Sequence, residues 1–361
     1  MKIAFFHELP LGGARRVVEE YGKLLAKKHT VDLFYVDTKE EVSITAIFGK
    51  TYFFPFFQKR NRLYNDTISL FLLSILHKQI AQVIDKESYD FVVVNPSKYT
   101  QAPFLLRYIT TYSVYFCQEP LRIVHDPFLK KLPQTSLIKK SYEFVNRLFR
   151  RTIDYANMKK SGLVLANSMY AANWIKASYG RVANTCYLGV DADFFVPQAS
   201  NKTYDILFLG QMIEVEGYDL LEKALDFFKE KPIVHIVARD NLGGGISDRQ
   251  LVSTYNKAKI VVCLSRNEPF GLTALEAGSC GVPVVVVNEG GFRESVVNGK
   301  TGFLVERDSI KLYEKLQFLL KNNVLRNSMG KNSREEILAK WTWQKSVECF
   351  MDIVIKWQQN K

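Results

Sequence analysis

Two glutamates, Glu268 and Glu276, bracket the segment Arg266-Asn-Glu-Pro-Phe-Gly-Leu-Thr-Ala-Leu-Glu-Ala-Gly278. The segment follows an apolar run, Ile260–Leu264, and opens a helix expected over Leu272–Ser279. Phe270-Gly271-Leu272-Thr273 falls at the first turn, where backbone N–H groups lack partners inside the helix. Those donors and the helix dipole favour a phosphate or a sugar oxygen. Gly271 lets a ligand approach the main chain closely. A carboxylate accepts two hydroxyls of a sugar or ribose. Two carboxylates flanking a phosphate cradle therefore suit a nucleotide-sugar held at both ends. A bare glutamate pair at this spacing equally fits a helix cap and a surface residue; the Pro-Phe-Gly context favours the ligand reading.

The elements that must position these groups alternate along the chain. Ile3–His7, Val31–Val36, Asp90–Asn95 (ending at Pro96), Ser113–Cys117 and Leu163–Asn167 read as buried strands. A helix from about Ala14 to Lys28 follows Gly12-Gly13, with Val17, Val18, Tyr21, Leu24 and Leu25 on one face. Gly189 to Thr203 reads as a linker. A second series follows: strands Ile206–Leu209, Val234–Ala238, Ile260–Leu264, Pro283–Val287 and Gly302–Val305, with helices Leu220–Lys229, Arg249–Ala258 and Leu272–Ser279. A last helix spans roughly Trp343 to Trp357. The alternation predicts an α/β chain of two Rossmann-like, doubly wound parallel-sheet domains, 1–198 and 199–342. The length of 361 residues agrees with two cores. In such sheets ligands bind outside the carboxyl ends of the strands, so strand-to-helix junctions are where chemistry is expected.

The Glu268–Glu276 stretch resembles the donor-site signature of glycosyltransferase family four, an E-x7-E motif. The resemblance continues through Gly281-Val-Pro-Val-Val-Val-Val287, Asn288-Glu-Gly-Gly291, Glu294 and Asn298-Gly-Lys-Thr-Gly302. Ala166-Asn-Ser168, Gly189-Val-Asp191 and Gly12-Gly13-Ala14-Arg15 extend it over nearly the whole chain. It implies a GT-B architecture, with the two domains facing across a cleft and helix 343–361 packing back on the first. It also implies retaining transfer from a nucleotide-sugar donor to a glycan, lipid-linked or other acceptor, with no metal and no cofactor. Glu268 would contact the donor sugar and Glu276 the ribose. Phe270, Gly271, Leu272 and Thr273 would reach the sugar and phosphates. Gly12 would lie against the phosphates, and Gly13 would join the catalytic groups on the acceptor side.

Three departures qualify that reading. The family's Arg and Lys after the first strand of the second domain are replaced by Gln211 and Glu216, so the diphosphate needs another cation. Arg239 and Arg266 are the candidates. A catalytically weak relative that binds a nucleotide-sugar or glycan, or supports a partner enzyme, is the alternative. In Tyr115-Phe-Cys-Gln-Glu-Pro-Leu-Arg122, Gln118 stands where similar enzymes often carry His; its amide can donate but cannot relay a proton. His125 lies nearby in sequence. Gly243-Gly-Gly245 occupies a region where relatives usually have another strand and helix. Ser168 reads as a helix cap, and Asp191 as a hinge or packing residue.

Lys+Arg outnumber Asp+Glu by 49 to 37, a formal charge of +12, which favours an anionic partner. No nucleic-acid reader motif is present. Phe128 to Lys160 interleaves nine cations with Leu137, Tyr142, Phe144, Val145, Leu148 and Phe149, against two acids, Glu143 and Asp154. Phe53-Phe-Pro-Phe-Phe-Gln-Lys-Arg-Asn-Arg62 is similar. Both fit peripheral contact with an anionic membrane; both also fit a helix with an apolar core face and a solvated basic one. Cys117, Cys186, Cys263, Cys280 and Cys349 have no CxxC spacing and read as buried reduced thiols. With no signal-peptide pattern at the start, and the run Ile68 to Leu76 too short to span a bilayer, the expected location is cytoplasmic, at or near the inner membrane face.

Overall fold

The computed structural model describes residues 1–10, 12–36, 42–129, 136–238 and 246–360, with the side chains of Val42 and Ser43 excepted. Contacts divide the chain into two units. The first holds Met1–Asn167, Ala171–Cys186 and Val347–Lys361; the second holds Ser168–Tyr170 and Tyr187–Ser346.

The first unit is built on seven strands: β1 (Lys2–Glu8), β2 (Thr30–Val36), β3 (Thr51–Phe54), β4 (Phe91–Ser97), β5 (Ser113–Phe116), β6 (Leu163–Ala166) and β7 (Asn184–Thr185). They pair in the order β3-β2-β1-β4-β5-β6-β7. Every pairing is parallel. Parallel strands covered on both faces need apolar side chains throughout, and Ile3, Ala4, Phe5 and Phe6 are buried accordingly. One face packs on Leu73, Ile80 and Ile84 of the helix Ile68–Lys86. Phe350, from the last helix Trp343–Gln359, lies against Phe91 and Tyr21, with ring centroids 6.2 and 5.2 Å apart.

The second unit has five strands: β8 (Tyr204–Leu209), β9 (Val234–Val237), β10 (Ala258–Cys263), β11 (Val284–Val287) and β12 (Gly302–Val305), in the order β12-β11-β10-β8-β9. These too are all parallel. Strand order reverses at β1/β4 in the first unit and at β8/β10 in the second. Those are the two places where the fold itself makes a ligand crevice.

Several expectations need correction. The strand read as ending at Pro96 runs through it to Ser97. Proline gives the ladder no N–H, and the register against β1 shifts between Phe6 and Glu8. The helix after Gly12 stops at Leu25 rather than Lys28. Part of the aromatic stretch 53–62 is an edge strand, β3. The helix Ile68–Lys86 is long and apolar enough by composition to cross a membrane, although its Leu70, Leu73, Ile80 and Ile84 are buried in the core. Four cysteines are buried and free, but Cys349 is exposed; a hydrogen bond from Cys186 lowers its pKa to about 7.

Candidate functional site

At the β8/β10 switch point, the loops that follow four strands close on one another. Arg266 N–H donates to Val215 O (2.9 Å), joining the loop after β10 to that after β8. Gly291 N–H donates to Glu268 O (2.8 Å), bringing in the loop after β11. A Cβ on Gly290, where φ is 57°, would sit 2.3 Å from that same carbonyl oxygen. Arg307, just past β12, completes the ring. It grips both oxygens of Glu289 (2.8 and 2.7 Å) and donates to Leu264 O (3.0 Å). The sequence reading missed Arg307 because nothing local marks it.

Within this frame Glu268 is half-buried, and its Oε1 accepts from Gly271 N–H (3.1 Å). Gly271 has φ 92°, and a Cβ there would strike the Phe292 ring at 2.4 Å. The helix Leu272–Ser279 then begins, with the first-turn amides of Leu272 and Thr273 leading it and without acceptors inside the helix. Phe270 is buried against Trp341 and Tyr187, with centroids 5.8 and 6.3 Å away, so its contribution to a ligand would be main chain. Glu276 is only 2% exposed and accepts from the Tyr255 hydroxyl (2.7 Å). Tyr255 is a second residue the sequence reading missed.

Of the two candidate cations, the described one, Arg266, is already engaged. Arg266 lies 3.4 Å from Glu214 and 3.9 Å from Asp219. Glu216 accepts from Ser265 Oγ (2.9 Å), and Gln211 is half-buried in the same loop. Arg239 and Gly243–Gly245 lie outside the described residues. The Ser168 hydroxyl, at the start of the helix Met169–Tyr179, donates to Pro269 O (2.6 Å), and Glu294 accepts from Met169 and Tyr170 N–H (2.9 and 2.8 Å). Asp191 caps a turn through Asp193 and Phe194 N–H (3.2 and 3.0 Å).

In the first unit, Gly12 (φ 151°) is exposed and leads directly into the helix Gly13–Leu25. Gln118, nearly buried, reaches Ala14 O with its amide (3.5 Å), so the structure brings it to the Gly12-Gly13 turn. The loop it heads is held from beneath. Gln101 donates to Glu119 O (2.8 Å), and Leu121 N–H donates to the Tyr179 hydroxyl (3.0 Å). Tyr179 in turn donates to Asp154 (2.5 Å). Burial raises the pKa of Asp154 to about 7, against the hydrogen bonds from Tyr179 and Ala102. His125 packs its ring edge on Tyr179 (5.2 Å); burial, then the charge of Arg151, lowers its pKa to about 4. At the end of β1, fully buried Glu8 accepts from His77 Nε2. His77 Nδ1 accepts from Leu105 N–H (3.0 Å), which fixes the proton on Nε2.

Residues 238–336 match the family model described as glycosyl transferases group 1. An uncharacterised glycosyltransferase of Methanocaldococcus jannaschii is 30% identical over 205 residues, 52% of this chain and 57% of that one. The D-inositol 3-phosphate glycosyltransferase of Corynebacterium jeikeium is 27% identical over 247 residues, 55% of this chain and 58% of its own length. The chain thus spans little more than half the length of these relatives. Sucrose-phosphate synthase from Thermosynechococcus elongatus superposes with TM-score 0.77 at 18% identity, covering 100% of both chains. Anabaena HepE, solved with UDP-glucose, gives 0.75 at 18% identity, covering 99% of this chain and 100% of that one. The protein therefore has the GT-B fold, and the segment 238–336 of its second domain belongs to the group 1 glycosyl transferases.

Proposed function

We propose that the protein is a retaining, metal-independent glycosyltransferase. Its second domain would hold a nucleotide-sugar, and its first domain would serve a glycan or lipid-linked acceptor. The observation that carries this reading is the Glu268–Gly271 hydrogen bond at the β8/β10 switch point. It sets a carboxylate beside the leading amides of Leu272 and Thr273.

Charge accumulates on the diphosphate as it leaves. Fixed amides at a helix mouth stabilise that charge without having to reorganise. Glu268 would contact the donor sugar. Glu276, held by Tyr255, would serve the ribose from the second turn. Gln118 and the Gly12-Gly13 turn, adjacent in the first unit, would line the acceptor side. Because Gln211 and Glu216 add no cation, Arg266 would have to exchange Glu214 and Asp219 for the phosphates.

The test is transfer and donor hydrolysis with the purified protein, using UDP-, GDP-, ADP- and dTDP-linked sugars, with and without a chelator. UDP-glucose, which HepE binds, comes first. Expected results are turnover with at least one donor, persistence with chelator, retained anomeric configuration by NMR, and loss in Glu268→Ala. Inversion of the anomeric centre, or dependence on added metal, would overturn the corresponding part of the proposal. The pairing of Arg266 with Glu214 and Asp219 favours a second reading, a nucleotide-sugar-binding relative without turnover. Saturable donor binding with no product from any of the four donors would select it.

A further inference from the structure

The helix Leu137–Lys159 is built inside out over roughly its first three to four turns. A helix on the surface of a domain normally turns its apolar stripe inward and its polar stripe to water. Here the inward stripe is polar up to Arg150, and only beyond it do Ile153 and Met158 reach the core. Tyr142 and Asn146 donate to Asp66 Oδ2 (2.7 and 3.0 Å), and Arg150 pairs with Asp66 Oδ1. Glu143 pairs with Arg62, and Asp154 is bonded to Tyr179 and Ala102. The outward stripe carries Leu137, Ile138, Phe144, Val145, Leu148 and Phe149, recurring at helical spacing. Leu137 and Ile138 are 81% and 83% exposed, Phe144 and Val145 62% and 63%. The expectation of a core face and a solvated basic face therefore holds at the C-terminal end, through Ile153 and Met158, and is reversed before it. A second exposed apolar stripe, Ile68, Phe71, Leu72 and Ile75, starts two residues after the same Asp66.

We propose that this part of the first domain docks on an anionic lipid surface. The charges commit the face to that occupant. Both acids of the helix, Glu143 and Asp154, are turned inward and bonded. Lys139 and Arg151 stay exposed beside the apolar stripe, and Lys59 and Arg60 are exposed in the segment just before Asp66. Apolar side chains enter the acyl boundary while these cations meet the head groups. A second copy of the same face would set cation against cation, which disfavours a symmetric dimer. The inference goes beyond glycosyl transfer and is read without a donor.

The experiment is flotation of the full chain with vesicles of phosphatidylcholine, alone or mixed with phosphatidylglycerol. The wild type is expected to float with the anionic vesicles and to be released as salt rises to about 0.5 M. Phe144→Ser/Val145→Ser/Leu148→Ser should weaken partitioning at least about tenfold. Lys139→Glu/Arg151→Glu should weaken it about tenfold or more, and on anionic vesicles only. Circular dichroism and melting confirm that each variant folds. If the triple variant does not, Phe144→Ser alone and the salt series still read the effect. Absence of binding to anionic vesicles, or binding equal in wild type and folded variants, overturns the proposal. So does a concentration-dependent dimer, seen by light scattering, that the apolar variants abolish.

Discussion

The two domains treat their glycine loops in opposite ways. In the second, Gly290 is hemmed in: an added Cβ would lie 2.3 Å from Glu268 O, and Gly291 N–H holds that oxygen at 2.8 Å. In the first, no described residue lies within 4 Å of the same position on Gly12. One loop is fixed by neighbouring main chain before any ligand arrives. The other takes a backbone conformation that only glycine adopts readily, and no described residue fills the space beside it. The second domain thus has the preorganisation that charge stabilisation requires, and the first keeps room beside the turn that Gln118 touches.

Filling the closed loop should have the largest effect. Gly290→Ala adds left-handed strain of about 1–2 kcal/mol and pushes a methyl group into a carbonyl oxygen for about 1–3 kcal/mol more. The expected loss is about 4 kcal/mol, seen in urea unfolding as an early transition of the second domain. A loss under about 1 kcal/mol would mean the loop can yield, and the contrast between domains would disappear.

Glu268→Gln asks whether the carboxylate does more than cap its loop. The glutamine carbonyl can still accept from Gly271 N–H, so stability should change by less than about 1 kcal/mol. The charge is lost, and kcat/KM for transfer should fall about a hundredfold, roughly 3 kcal/mol of transition-state stabilisation. Equal activity with an unchanged melting temperature would reduce Glu268 to a cap.

The local parts of the frame were legible in the sequence. Strand Gly302–Val305 and helix Leu272–Ser279 have the bounds expected of them, because glycines or turn residues punctuate both. The side-chain partnerships across elements were not. Tyr255 and Glu276, or Arg307 and Glu289, leave no local period, since each pair joins residues 21 or 18 apart in different elements. Glu294 is another such partner: 125 residues from Met169, it takes that residue's amide. The helix Leu137–Lys159 shows the limit of periodicity itself: its apolar pattern does not tell that Asp66 turns Tyr142, Asn146 and Arg150 inward, while only Ile153 and Met158 near its end reach the core.

Two single changes sharpen the comparison at lower cost. Tyr255→Phe leaves the buried Glu276 short of a donor and should cost about 2 kcal/mol, with a matching loss of donor affinity if Glu276 serves the ribose. Gly12→Ala meets no described neighbour, so only backbone strain of about 1–3 kcal/mol is expected. Transfer should nevertheless fall roughly tenfold if the open space serves the reaction, with donor affinity measured by calorimetry nearly unchanged. A fall in stability rather than activity would make Gly12 as structural as Gly290.

The smallest effect concerns pH and separates two groups that touch Tyr179. Burial, helped by Arg151, holds His125 neutral down to a pKa of about 4, against 6.5 ordinarily. Between those values the unfolded chain binds a proton that the folded chain does not, so stability falls as pH drops from about 6.5 to about 4. Asp154 acts in the other direction. Its raised pKa, about 7 against 3.8, makes the folded chain keep a proton that the unfolded chain releases, so stability falls as pH rises from about 4 to about 7. Over the shared window the two slopes oppose each other. His125→Phe keeps an aromatic edge for Tyr179 and removes one of them. Relative to wild type, its melting temperature should rise steadily as pH is lowered from 6.5 to 4 and should not differ in trend above 6.5. Solvent still screens the half-buried ring, so the difference should stay under about 1 kcal/mol. A difference that is flat across pH 4 to 6.5 would show that His125 takes up its proton as readily in the folded chain as in the unfolded one.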